Sequence, residues 1–465
     1  MEQIENKFTK FNEFAKSLLP IEAELLRQYC KFEDAEKNQI LQILLRNASK
    51  IDKQEKFPEY FDKRKYSFVK QKCTQILEAH DVDKILERIQ SWEQAILLDK
   101  IEKDQEKLCL QMFKHSSSNH FHFIKLYELA RIYRHYLSIR MKLKDFHLVQ
   151  NYLNQHELDY NYAKTINDKL NASSVEIVEH YIKNAETNDQ WFDWLSEIFF
   201  NELLDGQSRI LAWIRLIFIS HNRKNYEPLK NHFHDFEKNI CSGKFYSKRI
   251  LSNFYSQFVL YHTYFKNLNQ AIFYGYQSIK IINNDYLYYI NNLAAVLLRA
   301  NRPADALDSL KLANTIAKQS SNDHNKIGHA AFTIFAYIDL KKYQQAQTHA
   351  FIFYRAFRKE ILEHRWHLFF SAYFKALLLN KEYQDLLKIA QSCHLVELDA
   401  SYQSNSLYRP NIPWMIALAK FKTKAINLSQ LNQQIQEWSN NKSSINSDSQ
   451  ISELIELNKI VVSGK

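Results

Sequence analysis

Apolar residues recur along this chain at the three- and four-residue intervals of an α-helix. One segment near the N-terminus shows intervals of four, three and four residues: Ile85, Ile89, Trp92 and Ile96. Asp81 or Asp83 stands where the N-cap of that helix is expected. The polar run Ser116-Ser117-Ser118-Asn119 is typical of a loop. We therefore predict an N-terminal helical domain over residues 1–115.

Beyond residue 120, short polar breaks recur every 15–20 residues, which is typical of helix hairpins. Within this region a small or apolar lead residue is followed, four and seven positions later, by similar residues. The four triplets, whose lead residues are 35, 40 and 40 residues apart, are Ala271/Gly275/Ser278, Ala306/Leu310/Ala313, Ala346/Ala350/Phe353 and Leu386/Ala390/Cys393. Positions separated by four and seven share one helix face. Each triplet therefore predicts the packing face of a hairpin's second helix, which neighbouring hairpins must help to bury.

These repeats resemble the tetratricopeptide repeat (TPR) family, most closely between Tyr289 and Lys318. The resemblance rests on Asn292-Leu293-Ala294-Ala295 and Ala304-Asp305-Ala306-Leu307, and it is readable over about residues 250–395. It implies an all-α fold, an α-solenoid of antiparallel helix hairpins. The chain departs from the family in spacings of 40 rather than about 34 residues. It also lacks the family's glycine in the turn and proline at the repeat end.

The repeat pattern divides the remainder of the chain. We predict degenerate helical hairpins over residues 121–250, TPR-like repeats over 251–430, and a linker with a C-terminal helix over 431–465. Two fainter triplets belong to the degenerate region: Val149/Leu153/His156 and Leu229/Phe233/Phe236.

The C-terminal region carries its own helix signals. Asn427 is placed to cap a helix from Leu428 to Trp438. Residues 439–449 are rich in Ser and Asn, which predicts a linker. Residues 451–462 predict a short final helix, which either caps the array or forms a mobile tail.

The amino-acid composition agrees with a helical chain, and the absence of several motifs argues against catalytic and metal-binding sites. Gly is 5 and Pro is 6 of 465 residues, against roughly 33 and 23 at average usage. GxGxxG, GxxxxGK[ST] and GxSxG motifs are absent, and five widely spaced cysteines form no CxxC pair. The i, i+2 spacing of His232 and His234 suits chelation poorly on a helix. His364 and His367 are better spaced and lie near Glu360 and Glu363, but the basic residues of the same segment would oppose a cation: Arg355, Arg358, Lys359 and Arg365. We therefore predict no enzyme activity, no catalytic residue, no metal and no cofactor.

The TPR resemblance also implies where a ligand would bind. In such arrays the first helix of each hairpin lines a concave groove. The groove residues in this chain would then be Asn253, Tyr264, Asn291, Arg299, Phe335, Asp339 and Lys375. Some family members hold a C-terminal carboxylate with matched Lys and Asn residues. Ser256, Leu260, Asn291 and Ala295 stand here instead, so we expect a peptide or partner protein of another kind.

The distribution of charged residues suggests an alternative function. Lys and Arg number 62 and Asp and Glu 52, a net charge of +10. Residues 1–100 carry 18 of each sign, so the whole surplus lies beyond them. Arg355 and Arg358, at i and i+3, share a helix face and predict contact with an anion or acidic partner. The alternative function is a nucleic-acid-associated accessory or regulatory factor with a diffuse basic surface, whose binding would depend steeply on salt.

The N-terminus starts with Met-Glu-Gln-Ile-Glu and has no signal-peptide pattern. The best apolar run, from Ile210 to Ser220, is interrupted by Arg215 and is shorter than a membrane span. We expect a cytoplasmic protein without a membrane partner. The function that we favour is a non-enzymatic scaffold or adaptor that binds a peptide or partner protein in the groove. Self-association would use residues 1–115.

Overall fold

The protein is all-α, as predicted. A computed structural model describes residues 9–51, 54–182, 189–403, 408–440 and 447–463. These residues form 24 α-helices and a short 3-10 helix, with no strand among them. The scarcity of glycine and proline favours long helices, because both residues weaken helix interiors. One of these helices, Tyr343–Glu363, is kinked at Phe357, where φ is −133°.

The described residues fall into two compact units. The first comprises Met1–Lys266 and Tyr276–Ile281, and the second Asn267–Gly275 and Ile282–Lys465. The four regions predicted from the sequence divide the chain more finely, and their boundaries stay predictions.

Twelve helices and a 3-10 helix lie wholly in the described part of the first unit. They are α1 (Thr9–Ser17), α2 (Pro20–Tyr29), α3 (Ala35–Ala48), α4 (Lys63–His80), α5 (Val82–Leu97), α6 (Lys103–His115), α7 (Phe123–Ile139), α8 (Leu143–Ile182), α9 (Asp189–Phe200), α10 (Gly206–Arg223), the 3-10 helix (Glu227–Leu229), α11 (Lys230–Cys241) and α12 (Lys248–Tyr264). Helix α13 (Leu268–Ser278) contributes residues to both units.

The helix signals near the N-terminus are confirmed. The carboxylate of Asp81 accepts hydrogen bonds from the backbone N–H groups of Asp83 and Lys84, at 2.9 and 3.3 Å, and caps α5. The apolar stripe of α5 is buried at Ile89, Trp92 and Ile96. The Ser116–Asn119 run connects α6 to α7 without helix.

The second unit contains the remaining helices. Its helices are α14 (Tyr286–Arg299), α15 (Pro303–Leu312), α16 (Asn314–Gln319), α17 (Asp323–Asp339), α18 (Tyr343–Glu363), α19 (Trp366–Leu379), α20 (Tyr383–Ser392), α21 (Leu395–Tyr402), α22 (Asn411–Lys422), α23 (Leu428–Asn440) and α24 (Ser447–Ser463). Helix α14 packs against α15 and α17, α17 against α18 and α19, and α19 against α20 and α22. The lead residues Ala306, Ala346 and Leu386 are fully buried, as the triplet pattern predicts.

The turns inside the hairpins share one backbone geometry. Asn301, Lys341 and Lys381 adopt left-handed φ angles of 56°, 58° and 63°, five residues before each lead residue. The following N–H reaches back across the turn. In the second hairpin, for example, the Lys342 N–H donates to the Tyr337 carbonyl at 2.8 Å. This is the Schellman ending of a helix, which normally favours glycine. The chain therefore forms these turns with Lys and Asn at a conformational cost.

The C-terminal helices agree with the sequence except at their ends. The Asn427 side chain accepts from the Gln430 N–H at 2.9 Å, which confirms the predicted cap of α23. Helix α24 begins at Ser447 rather than residue 451. Ser439 and Asn440 end α23, so the predicted linker is shorter than residues 439–449. Residues 441–446 of that linker lie outside the described residues.

Candidate functional site

Four helices of the second unit, α14, α17, α19 and α22, each precede a turn and pack side by side in that order. Their last turns carry residues at one shared position, two before the left-handed residue of the turn. Those residues are Arg299, Asp339, Leu379 and Lys422. Phe335 and Lys375 lie four residues earlier on α17 and α19. We call the surface formed by Arg299, Phe335, Asp339, Lys375 and Lys422 the first-helix surface.

Three of the predicted groove residues lie together on this surface. The ammonium group of Lys375 lies 5.9 Å from the centre of the Phe335 ring. Loss of hydration raises the pKa of Asp339, and the positive charge of Lys375 opposes that shift. A cation, an aromatic ring and an exposed carboxylate therefore lie on adjacent helices. Such a group of side chains can bind a ligand that has both charged and apolar parts.

Arg299 lies at the C-terminal end of α14. Its side chain reaches the surface, but surrounding protein atoms remove part of its hydration and lower its pKa. The carboxylate of Glu453 on α24 acts in the opposite direction. The C-terminal helix therefore approaches the first-helix surface at Arg299.

Helix α24 is packed into the hydrophobic core of the second unit. Leu454, Leu457 and Val461 are 7%, 4% and 5% exposed and belong to the core cluster against which Phe335 packs. The Lys422 ammonium group donates to the Val462 carbonyl oxygen at 3.4 Å. An apolar stripe and a polar contact together hold α24 in place.

Asn291 lies in the same helix as Arg299 but is 4% exposed. Its side-chain amide donates to the Asn325 carbonyl oxygen at 2.9 Å, which ties α14 to the start of α17. The structure therefore places Asn291 between helices and not at the surface that a ligand would contact.

The two remaining predicted groove residues, Asn253 and Tyr264, belong to α12 of the first unit. Asn253 is half-buried. The Tyr264 hydroxyl donates to the Asn225 side-chain oxygen at 3.3 Å, and its ring packs 5.7 Å from that of Tyr226. The structure thus groups Tyr264 with the turn between α10 and α11.

Arg355 and Arg358 are both exposed on α18, but their surroundings differ. The Arg358 guanidinium donates to the Ser392 carbonyl oxygen at 2.5 Å and so ties α18 to the end of α20. The Arg355 guanidinium lies 5.7 Å from the ring of Phe351, which is 47% exposed. Arg355 is the more accessible of the two for an anion.

Sequence reasoning missed the involvement of α24 in this site. The signal was available as the apolar spacing of Leu454, Leu457 and Val461, next to the acidic Glu453. Periodicity identified the helix, but it could not show which other helices the stripe faces.

Among the described residues, no group of three or more His, Cys, Asp or Glu side chains is arranged to hold a metal ion. Within the same ranges, no helix combines the length and apolar character needed to cross a bilayer.

No protein-family model matches the chain, and neither the curated proteins nor the solved structures contain a significant match. The TPR-like interpretation therefore continues to rest on the residues that suggested it.

Proposed function

We propose that the chain is a non-enzymatic interaction scaffold or adaptor of TPR-like construction. Its first-helix surface would bind a peptide or a segment of a partner protein. The observation that carries this proposal is the grouping of Phe335, Asp339 and Lys375 on α17 and α19. Aromatic and cationic side chains that are partly dehydrated contribute strongly when a partner completes their burial.

The test is a pull-down of the tagged full chain from its native cells, with and without nuclease, read by mass spectrometry. Wild type would be compared with Lys375→Glu. Lys388→Glu is the matched control, because Lys388 lies on α20 with its side chain 76% exposed. We expect a stoichiometric partner that survives nuclease, is lost with Lys375→Glu, and is retained with Lys388→Glu. Equal capture by all three proteins would contradict the use of this surface.

The nucleic-acid alternative is supported by one local feature. Arg355 is exposed on α18 beside the exposed Phe351 ring, and Lys359 is exposed four residues further along. Ring stacking together with basic side chains suits single-stranded nucleic acid. Partners that disappear with nuclease, together with binding of an oligonucleotide that weakens steeply with salt, would favour this function. Arg355→Glu should then reduce oligonucleotide binding, while Lys375→Glu should not.

Two further proposals concern the setting of the protein. Self-association would use residues 1–115, where Tyr60 is 81% and Leu97 65% exposed. Light scattering of the purified wild-type chain and of a Tyr60→Ser variant tests self-association.

A cytoplasmic location is supported by the odd number and wide spacing of the five cysteines. Fractionation of native cells tests this location.

A further inference from the structure

We propose that the first-helix surface recognises an acidic amphipathic helix, and that α24 is the chain's own occupant of that surface. This inference rests on the proposed function and specifies the chemistry of the partner. The partner helix would present an aliphatic stripe at positions i, i+3 and i+7, flanked by carboxylates, and would displace α24.

The apolar part of the argument is the stripe of α24. Leu454, Leu457 and Val461 lie on one face of the helix, and all three are buried in the hydrophobic core cluster of the second unit. An amphipathic helix that buries such a stripe against neighbouring helices is a recurrent mode of peptide recognition. The site is therefore shaped for a helix.

The two ends of α24 relate it to two residues of the first-helix surface. Near its C-terminal end the Val462 carbonyl accepts from Lys422 of α22, the helix against which α24 packs. Near its start, Glu453 interacts electrostatically with Arg299 of α14. Helix α24 therefore reaches residues of the first-helix surface from both of its ends.

Charge specifies the partner further. Helix α24 has three acidic residues and one lysine, a net charge of −2: Asp448, Glu453, Glu456 and Lys459. The first-helix surface has three basic residues and one acidic residue, a net charge of +2: Arg299, Lys375, Lys422 and Asp339. The two sets are complementary, and complementary charge favours the right partner and its orientation.

Helix α24 packs imperfectly on this surface, so another helix could bind there with higher affinity. The Asn458 side-chain oxygen is buried without a hydrogen-bond partner among the described residues. A buried acceptor without a partner weakens the packing of the helix that carries it. Ile455 and Ile460 of α24 remain 39% and 42% exposed. A partner helix with an aliphatic residue in place of Asn458 would bind more tightly than α24 does.

The experiment measures binding of a fluorescein-labelled synthetic peptide, residues 447–463, to full-length protein by fluorescence anisotropy. Wild type should bind weakly, because α24 competes within the same chain. Glu453→Arg should bind the peptide about fivefold more tightly, since it replaces the electrostatic attraction between position 453 and Arg299 with repulsion. Leu457→Asp should bind it at least tenfold more tightly. Glu397→Arg, an exposed change on α21, is the matched control and should equal wild type.

Two more variants separate displacement from a general loss of structure. Asn458→Leu should hold α24 more firmly and bind the added peptide less than wild type does. Arg299→Glu in the Leu457→Asp background should reverse most of the gain. Circular dichroism checks that each variant keeps its helical content. If Leu457→Asp unfolds, the opposite changes in peptide affinity expected for Glu453→Arg and Asn458→Leu still test the inference.

Equal peptide affinity for wild type, Glu453→Arg and Asn458→Leu would overturn the inference, because α24 would then not compete for the site. If partner capture still depends on Lys375 in that case, the proposed function stands and only the role of α24 is rejected. If the peptide behaves as expected but Lys375→Glu leaves partner capture unchanged, the helix site is real and the native partner binds elsewhere.

Discussion

The aromatic core of the first unit and the second helices of the hairpins in the second unit pack with different kinds of side chain, although the first helices of those hairpins also bury rings such as Phe369, Phe370 and Phe374. The aromatic core consists of five buried rings: Phe199, Trp213, Phe233, Phe236 and Phe254. The hairpins bury Ala306, Ala346 and Ala350 at equivalent steps. Large rings fill the space between separated helices, whereas alanines let helix backbones approach closely.

One turn of the first unit shares its backbone geometry with the hairpin turns of the second. Lys224 has a left-handed φ of 49° and stands five residues before Leu229, as Lys341 does before Ala346. Because a left-handed residue ends many helices, this likeness is one of local geometry, and the degenerate hairpins of residues 121–250 stay a prediction.

The largest expected effect is on the aromatic core. Trp213 is 1% exposed and packs 4.8 Å from the rings of both Phe233 and Phe236. Trp213→Ala should lower the free energy of unfolding by about 3–5 kcal/mol, because it opens a cavity. Urea denaturation followed by circular dichroism measures this. Trp191→Ala, at a half-buried ring, is the control and should cost clearly less. Equal losses would mean that the core is not organised around Trp213.

A buried carboxylate adds a pH-dependent test to the second unit. Burial raises the pKa of Asp399 to about 6, and a hydrogen bond from the Tyr408 hydroxyl at 2.7 Å opposes the shift. Because the folded-state pKa exceeds the unfolded value of about 3.9, stability should fall as pH rises from about 4 to 6, by about 2–3 kcal/mol.

Asp399→Asn should remove most of that pH dependence, since the amide does not ionise. Denaturation midpoints of wild type and variant at pH 4 and pH 7 check this expectation. A variant whose stability falls over this pH range as steeply as that of wild type would show that another group is responsible.

The alanine-rich hairpins should be intolerant of larger side chains. Ala350 is fully buried on α18, whereas Ala356 of the same helix is exposed. Ala350→Leu should lower the free energy of unfolding by about 1–3 kcal/mol through overpacking, and Ala356→Leu should leave it nearly unchanged. If both variants melt like wild type, close approach of the helices is not what the small residue provides.

The smallest effect should be a gain. Lys341 has a left-handed backbone, with φ of 58°, where glycine carries no steric penalty. Lys341→Gly should raise the free energy of unfolding by about 0.5–1 kcal/mol. Gln345→Gly, at an exposed position within α18, should lower it, because glycine weakens a helix interior. Thermal melts of the two variants compare them, and a loss in both cases would argue against strain in the turn.

Much of the fold could be predicted because the spacing of apolar residues along the sequence indicates which face of a helix is buried. The stripe of α5, the caps at Asp81 and Asn427, and the lead residues Ala306 and Ala346 were all readable in this way. The ends of helices were less predictable. Helix α24 starts at Ser447, within a run of Ser and Asn that by composition indicates a linker.

The candidate site was only partly predictable. The register of the hairpins identified Phe335, Asp339 and Lys375, which lie on adjacent helices in the structure. The same register included Asn291, whose side chain is instead used to join α14 to α17. The position of a residue in the repeat indicates which other residues share its helix face. Whether its side chain is buried depends on which side chains of the neighbouring helix lie opposite it.

The sequence by itself determined that this chain is helical, where most of its helices lie, and which face of each is apolar. Those properties follow from propensity and periodicity, which are local. Only the tertiary structure decided that Glu453 lies near Arg299 and that Lys422 holds the end of α24. Contacts between residues more than 30 positions apart depend on how packed helices align, and an apolar stripe is compatible with many partners until that packing selects one.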